Sequence, residues 1–477
     1  MKQNQKISSP FLLLIPTFFF LVVILTAERN LYHLNGSDLN FDLLIFLGKG
    51  FFSDPFEPNL LTPMRSYTSI VGNIYQFFFN LPSNYSNLLI IYRIFNIVPF
   101  LFFIIYLIKK NNSELNYFFL VILVTLSVGQ FHEQFINFTM KMTAVILFIY
   151  YCYILKYQKF NTIKKELSVI SFFSVFLYPL TLPAILVMTI VFKIKNFREW
   201  PSLILISLPS IILASFIFGY QFNGEDTYNS YDPMYGKHNL HLLAWYIKRQ
   251  LTIFLTLETF LGLVILIFCL SFLTFRNEEL MKKLNKYKIL LFKVNFYIYL
   301  LYFVLTIIRN LDFQLPFYQY MDYFGMPLGF IWLVIFLSLK ISNYLIKNEK
   351  KIDINPKFFL FVFLIVYLFN FYHLYSGSQY TVEEKKYVEN LEKKILKNKR
   401  NFENINCKIK ITRFETVHLR LLTDINNMRP FNLTFQNPYS KFDLPKYMKY
   451  VAGYSPKNYI FENEIPNQDF LKCIEQN

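Results

Sequence analysis

The sequence predicts an all-α polytopic membrane protein of about eleven membrane segments, with a small extracytoplasmic α+β domain at the C-terminal end. Three observations carry this. Apolar runs reach the roughly 17–25 residues that a helix needs to cross a bilayer. The chain is 54% hydrophobic and holds 57 Phe and 35 Tyr in 477 residues. Its Lys and Arg collect in short segments between those runs and in the tail, so the net charge of +17 reads as membrane topology and attraction to lipid phosphates, not as nucleic-acid binding.

The apolar runs lie at 10–27, 89–108, 117–131, 140–156, 168–192, 201–219, 251–274, 289–308, 327–346 and 358–375. Run 10–27 follows Lys2 and Lys6 as a signal peptide would, but Thr26-Ala27-Glu28 is a poor cleavage site, so it reads as a retained first span. Run 168–192 has basic clusters on both flanks: Lys156, Lys159, Lys164 and Lys165 before it, Lys193, Lys195 and Arg198 after it. Its middle is Tyr178-Pro179-Leu180-Thr181-Leu182-Pro183, and prolines four residues apart interrupt a helix. The expected form is a hairpin, 168–178 and 179–192, whose tip stays buried in protein because each arm is short for a span.

With that hairpin the charges sort by side. The N-terminus and segments 109–116, 156–167, 193–200, 275–288 and 340–357 hold most of the loop Lys and Arg and are assigned to the cytoplasm. Loops 28–88, 131–140, 220–250 and 309–326 then lie outside, together with the tail. The expected domains are 1–375 in the plasma (inner) membrane and 376–477 in the periplasmic or extracellular space. The tail opens with a charged helical stretch at 382–399 and continues in shorter mixed segments. Cys152 and Cys269 fall in apolar runs as packing residues. Cys407 and Cys473 fall in the tail, where an oxidising compartment permits a disulfide and a reducing one leaves two thiols. No CxxC pair suggests zinc.

The first outer loop contains GSDLNFDLLIFLGKGFFSDPF, residues 36–56, with Asp38, Asp42 and Asp54 set among apolar side chains. A loop of this length is uncommon without a role. Asp38 and Asp42 are four residues apart, on one face of a helix. An isolated loop acid is ordinarily solvated surface, but this stretch is half apolar and has to pack. It continues through Leu61-Thr62-Pro63-Met64 to a second helix ending in Asn80-Leu81-Pro82.

The order Asp38, Phe41, Phe46, Gly48 and Gly50, Asp54-Pro55-Phe56, Thr62-Pro63 and Leu81-Pro82 resembles the first outer loop of GT-C membrane glycosyltransferases. The resemblance is nearest to bacterial polyprenyl-phosphate-sugar-dependent mannosyl- and arabinosyltransferase-like proteins. It extends over loop and topology to about residue 375 and leaves the tail out. The sequence departs from the pattern in having Asp42 where an aromatic is usual, and Thr62-Pro63-Met64 in place of a double proline.

The resemblance implies transfer of a sugar from a polyprenyl-phosphate donor to an extracytoplasmic glycan, lipid or protein acceptor. One carboxylate has to take the acceptor hydroxyl's proton, and Asp38, then Asp42, is the candidate base. Burial that raises its pKa would suit that task. The departing lipid phosphate needs cations, for which Arg93 and Arg309 are candidates. Each has a plain structural reading too: Arg93 snorkelling to the interface, Arg309 pairing with Asp312. Tyr320, in Tyr318-Gln319-Tyr320-Met321-Asp322-Tyr323, resembles the Tyr-rich element before a late GT-C span. His132 and Glu133 at an outer tip, with Asp54, complete the candidate substrate-binding set. A divalent cation is compatible with His132, Glu133 and Asp38, but no ligand spacing demands a metal or other cofactor.

The competing readings are a transporter or flippase and a surface-polysaccharide polymerase or ligase. Transporters favour repeats, Gly/Pro-broken spans and ionisable groups at mid-membrane. This chain has 13 Gly and gathers its acids in outer loops. Nothing resembles a Gly-rich phosphate loop, which disfavours a nucleotide-sugar donor.

A cysteine introduced within 376–477 is expected to react with a membrane-impermeant maleimide added outside intact cells. Labelling only after permeabilisation would overturn both the hairpin and the sidedness.

Overall fold

The structure is a computed structural model; it describes residues 13–14, 16–18, 21–22, 43, 46, 66–79, 85–110, 112–128, 139–193, 199–222, 257–276, 278–308, 325–347, 393, 410–411 and 434–435. The described part is almost entirely helical. In chain order the helices are α1 (Ser66–Phe78), α2 (Tyr85–Lys110), α3 (Ser113–Leu126), α4 (Thr139–Tyr157), α5 (Phe160–Leu177), α6 (Thr181–Lys193), α7 (Trp200–Phe222), α8 (Leu257–Arg276), α9 (Glu278–Ile308) and α10 (Met326–Lys347). Two-residue strands β1 (Lys410–Ile411) and β2 (Thr434–Phe435) pair in parallel in the tail. Segment 358–375 and the rest of the expected α+β domain lie outside the described residues.

Four described stretches are long and apolar enough to cross a membrane: Asn87–Lys110, Thr139–Tyr157, Glu278–Val304 and Pro327–Lys347. Shorter apolar helices cover Glu114–Leu126, Thr181–Lys193, Trp200–Ser215 and Thr259–Phe275. The outer surface of α9 exposes Phe292, Phe296, Leu300 and Phe303, a stripe at helical spacing. Such a stripe is unfavourable in water and expected against lipid. The protein is thus a membrane protein by its helices.

The chain divides into two compact units. One comprises Met1–Ile24, Ile97–Phe216 and His238–Leu374; the other comprises Leu25–Asn96, Ile217–Lys237 and Tyr375–Asn477. In the first, α4 is the central helix. It is apolar all round, and Tyr150, Tyr151 and Cys152 are fully buried. It packs on α5 and α6, while α10 packs on α8 and α9. Lipid tails are as apolar as leucine, so lateral specificity comes from close packing and polar ties. Ser174 donates to the Ala144 carbonyl at 2.9 Å, linking α5 to α4. The Ser171 and Ser210 hydroxyls meet at 2.6 Å, linking α5 to α7. The Tyr151 and Thr189 hydroxyls meet at 2.7 Å, linking α4 to α6.

The expected break in 168–192 is present: α5 ends at Leu177 and α6 begins at Thr181. Tyr178 is extended at φ −152° and ψ 97°, and the Thr181 amide and hydroxyl turn back to its carbonyl at 3.0 and 2.8 Å. Tyr178 and Leu180 are buried, and the Leu180 carbonyl accepts from the Tyr302 hydroxyl of α9 at 2.5 Å. An irregular turn is stable in apolar surroundings only when its backbone finds such partners.

The lysine-rich connections differ from expectation. Segment 275–288, expected as a loop, is helical from Glu278. Segment 156–167 is helical from Phe160, and 109–116 contains the start of α3. Lys and Glu are good helix formers, and pairs four apart support a helix that hydropathy does not reveal. Glu279 pairs with Lys283 at 2.6 Å, and Glu278 and Glu279 complement the positive end of the α9 dipole. The Asn112 side chain caps α3 by accepting from the Leu115 amide at 3.1 Å. The 31 residues of α9 extend about 46 Å, against a hydrocarbon layer of roughly 30 Å, so its first turns project beyond the apolar zone.

Gly262 of α8 lies against Val128, with room for no side chain: a Cβ there would meet Val128 Cγ1 at 2.5 Å. Valine is stiff about χ1 and does not turn away cheaply. Gly262→Ala is expected to cost about 1–3 kcal/mol, read as a lower unfolding temperature in detergent, with recovery in Gly262→Ala/Val128→Ala. An unchanged single variant would show that the α3–α8 contact is looser than described.

Candidate functional site

Of the residues singled out for chemistry, Arg93 lies in the described structure, half-buried on α2. Asp38, Asp42, Asp54, His132, Glu133, Arg309 and Tyr320 lie outside the described residues. The frame around the acidic stretch is nevertheless defined at Leu43 and Phe46, one helical turn apart and both buried.

Phe46 is held by α1 and α2 within the second unit. Its ring centroid lies 5.6 Å from Tyr75, 6.1 Å edge-on from Tyr92 and 6.0 Å from Phe95. Aromatic pairs at such separations add to the apolar burial. The Gln76 side chain donates to the Phe46 carbonyl at 2.8 Å. Gly72 lies directly under the same backbone, and a Cβ there would come within 2.1 Å of the Phe46 oxygen. Only glycine permits this approach. The Tyr67 hydroxyl donates to the Phe95 carbonyl at 2.7 Å and so ties α1 to α2. Burial pushes the Tyr67 hydroxyl's pKa far up, so it stays a donor. Arg93 is the neighbour of Tyr92 in the sequence and two residues before Phe95, both of which touch Phe46.

The first unit carries two further charged clusters. At one, Lys110 reaches Glu166 at 2.5 Å and the Tyr150 hydroxyl at 2.7 Å. Glu166 also accepts short hydrogen bonds from Tyr106 and Tyr150. Burial pushes the Glu166 carboxyl up; the hydrogen bonds from Lys110, Tyr106 and Tyr150 outweigh it and hold the group below its ordinary value. At the other, Lys286 pairs with Glu114 at 2.6 Å and lies 4.1 Å from the Tyr157 ring centroid. Tyr287 donates to the Glu114 carbonyl at 2.5 Å, and Tyr157 to the Lys286 carbonyl at 2.9 Å. Nearby, the buried Lys156 Nζ has no hydrogen-bond partner among the described residues and stacks on Tyr157 at 4.8 Å.

A carboxylate held ionised by three donors on one oxygen is a weak base. Glu166 therefore acts as a tie between helices, and Glu114 ties α3 to α9 through Lys286. Both were missed as partners from the sequence, although a signal exists: Glu114 is the single acid in 109–116, and Glu166 the single acid in 156–167. Among the described residues no group of three His, Cys, Asp or Glu side chains is arranged to hold a metal ion.

No known protein family matches the chain, and no curated protein or solved structure matches it either.

Because the folded Glu166 carboxyl titrates below its ordinary value of 4.5, its stabilisation is present above that value and is lost as pH falls through the folded pKa. Glu166→Gln is expected to unfold at a lower temperature than the parent near pH 7, with the gap closing below about pH 4. A gap that stays constant from pH 7 to pH 3.5 would show that the charge contributes nothing.

Proposed function

We propose that the chain is an integral membrane glycosyltransferase of the GT-C type, moving a sugar from a polyprenyl-phosphate donor to an extracytoplasmic glycan, lipid or protein acceptor. The observation that carries this reading is the setting of the acidic stretch. A solvated surface loop has no reason to bury Leu43 and Phe46, to require glycine beneath Phe46, and to close its backbone with Gln76. A loop that presents Asp38 or Asp42 to a substrate does, because a base has to be held within a fraction of an ångström of its productive hydrogen-bonding position. The exposed Ile70, Ile74, Phe77 and Phe78 of α1 add support, since they suit a helix lying at a lipid surface, where the donor's phosphate also lies. In this reading about eleven segments cross or enter the membrane, and 376–477 forms the outer α+β domain.

The chemistry follows from an inverting displacement. The acceptor oxygen attacks the anomeric carbon while the bond from that carbon to the phosphate oxygen breaks. Asp38 takes the acceptor's proton, with Asp42 as the second candidate. Polyprenyl phosphate leaves with the bonding electron pair, its charge met by Arg93 and Arg309. Asp54, His132, Glu133 and Tyr320 are assigned to sugar and acceptor binding.

Purified protein given radiolabelled polyprenyl-phosphate sugars and a mixed glycolipid acceptor pool is expected to transfer label. Asp38→Asn is expected to lose it by about 10²–10⁴-fold at normal membrane abundance, and Asp42→Asn by less. Equal transfer by Asp38→Asn and the parent would remove Asp38 as the base. Absence of transfer with every donor, together with lipid-linked substrate flux in liposomes, would replace the enzyme by a transporter.

A further inference from the structure

Within the first unit, α9 and α10 flank a half-open groove of about 270 Å³. Its α9 side is Lys282, Asn285 and Lys288, and its α10 side is Phe336, Lys340 and Asn343. The spacings are three and four residues, so each helix lends one face. No acid among the described residues lines the groove.

Four lysines near helix ends are paired. Lys110, Lys193, Lys283 and Lys286 each meet a carboxylate: Glu166, Glu199, Glu279 and Glu114. Lys282, Lys288 and Lys340 pair with no carboxylate among the described residues. Lys340 stands 5.7 Å over the Phe336 ring. All three lysines line this one groove, and Glu278, one turn before Lys282 on the same helix, does not. Lysines gathered along one groove make its potential positive and attract anions.

We infer that this groove binds a phosphate group, its ammonium and carboxamide donors converging on the phosphate oxygens and its Phe336 wall taking the apolar neighbour. Lysine serves phosphate as a point charge with three donors, and asparagine adds neutral donors that do not compete as acids would. The volume lies just under the roughly 300–1,000 Å³ of pockets that enclose a drug-sized ligand, so it suits a phosphate head and not an extended molecule. The first turns of α9 project beyond the apolar zone, and the charge bias assigns 275–288 and 340–357 to the cytoplasm. The phosphate thus comes either from an anionic lipid of that leaflet or from a soluble phosphate compound. The site is independent of the sugar transfer proposed above, since the two involve different residues.

Two arms separate the sources. In the first, the full chain is placed in nanodiscs of phosphatidylcholine with phosphatidylglycerol, and retained lipid is read by native mass spectrometry. In the second, inorganic pyrophosphate is titrated into the detergent-solubilised protein. Near a membrane each lysine contributes about fivefold in affinity, so Lys282→Gln/Lys288→Gln/Lys340→Gln is expected to weaken binding about a hundredfold in the arm that applies. Lys340→Gln alone, at an exposed position, is expected to weaken it about fivefold and guards against misfolding of the triple variant. Phosphatidylglycerol retained by the parent and lost by the variants assigns a lipid headgroup. Pyrophosphate binding lost in the same way assigns a soluble phosphate. Parent and variants that behave alike in both arms overturn the site.

Discussion

The Glu166 carboxylate, surrounded by Lys110, Tyr106 and Tyr150, is the tie on which the arrangement of α2, α4 and α5 rests. Helices surrounded by lipid gain little by exchanging a lipid neighbour for a protein one, so apolar area alone does not select partners. A carboxylate at the edge of an apolar layer does, because each donor it lacks leaves a costly unsatisfied charge. Three donors from two other helices leave one register in which the group is satisfied. The Glu114–Lys286–Tyr287 cluster imposes the same condition on α3 and α9, and Tyr302 holds the hairpin tip to α9 through the Leu180 carbonyl.

The ionic ties of Glu114–Lys286 and Glu279–Lys283 occur near helix ends. Ser174, Ser171 and Thr189 add short hydroxyl contacts within the bundle. Among the described residues two glycines allow the closest approach, Gly262 beside Val128 and Gly72 beneath Phe46. The second of these bears on the proposed function, because Phe46 belongs to the stretch that carries Asp38 and Asp42. Lysines that meet a glutamate serve the frame. Lys282, Lys288 and Lys340, which pair with no carboxylate among the described residues, line the α9–α10 groove proposed to take a phosphate.

Much of the helix pattern was legible in the sequence. Apolar runs at 89–108, 140–156 and 327–346 became α2, α4 and α10 with small shifts at the ends, and Pro179 marked the hairpin break. The lysine-rich segments were misread as loops because hydropathy measures transfer into lipid, whereas helix formation continues through Lys and Glu that pair four apart. Of the candidate site, the sequence supplied the acids through their spacing. It did not disclose that Leu43 and Phe46 of the same stretch are buried against Tyr75, Tyr92 and Phe95, as those partners lie 29 to 49 residues away from Phe46.

Composition and periodicity by themselves determined that the chain enters a membrane, where its helices run and where one breaks, since these depend on local properties: side-chain hydrophobicity, helix propensity and the missing amide of proline. Only the tertiary structure decided which glutamate takes which lysine, why position 72 has to be glycine, and which lysines are left facing one another across a groove. Those facts depend on distances between residues far apart in the chain, and a contact between α3 and α9, or α9 and α10, exists only once the helices have packed.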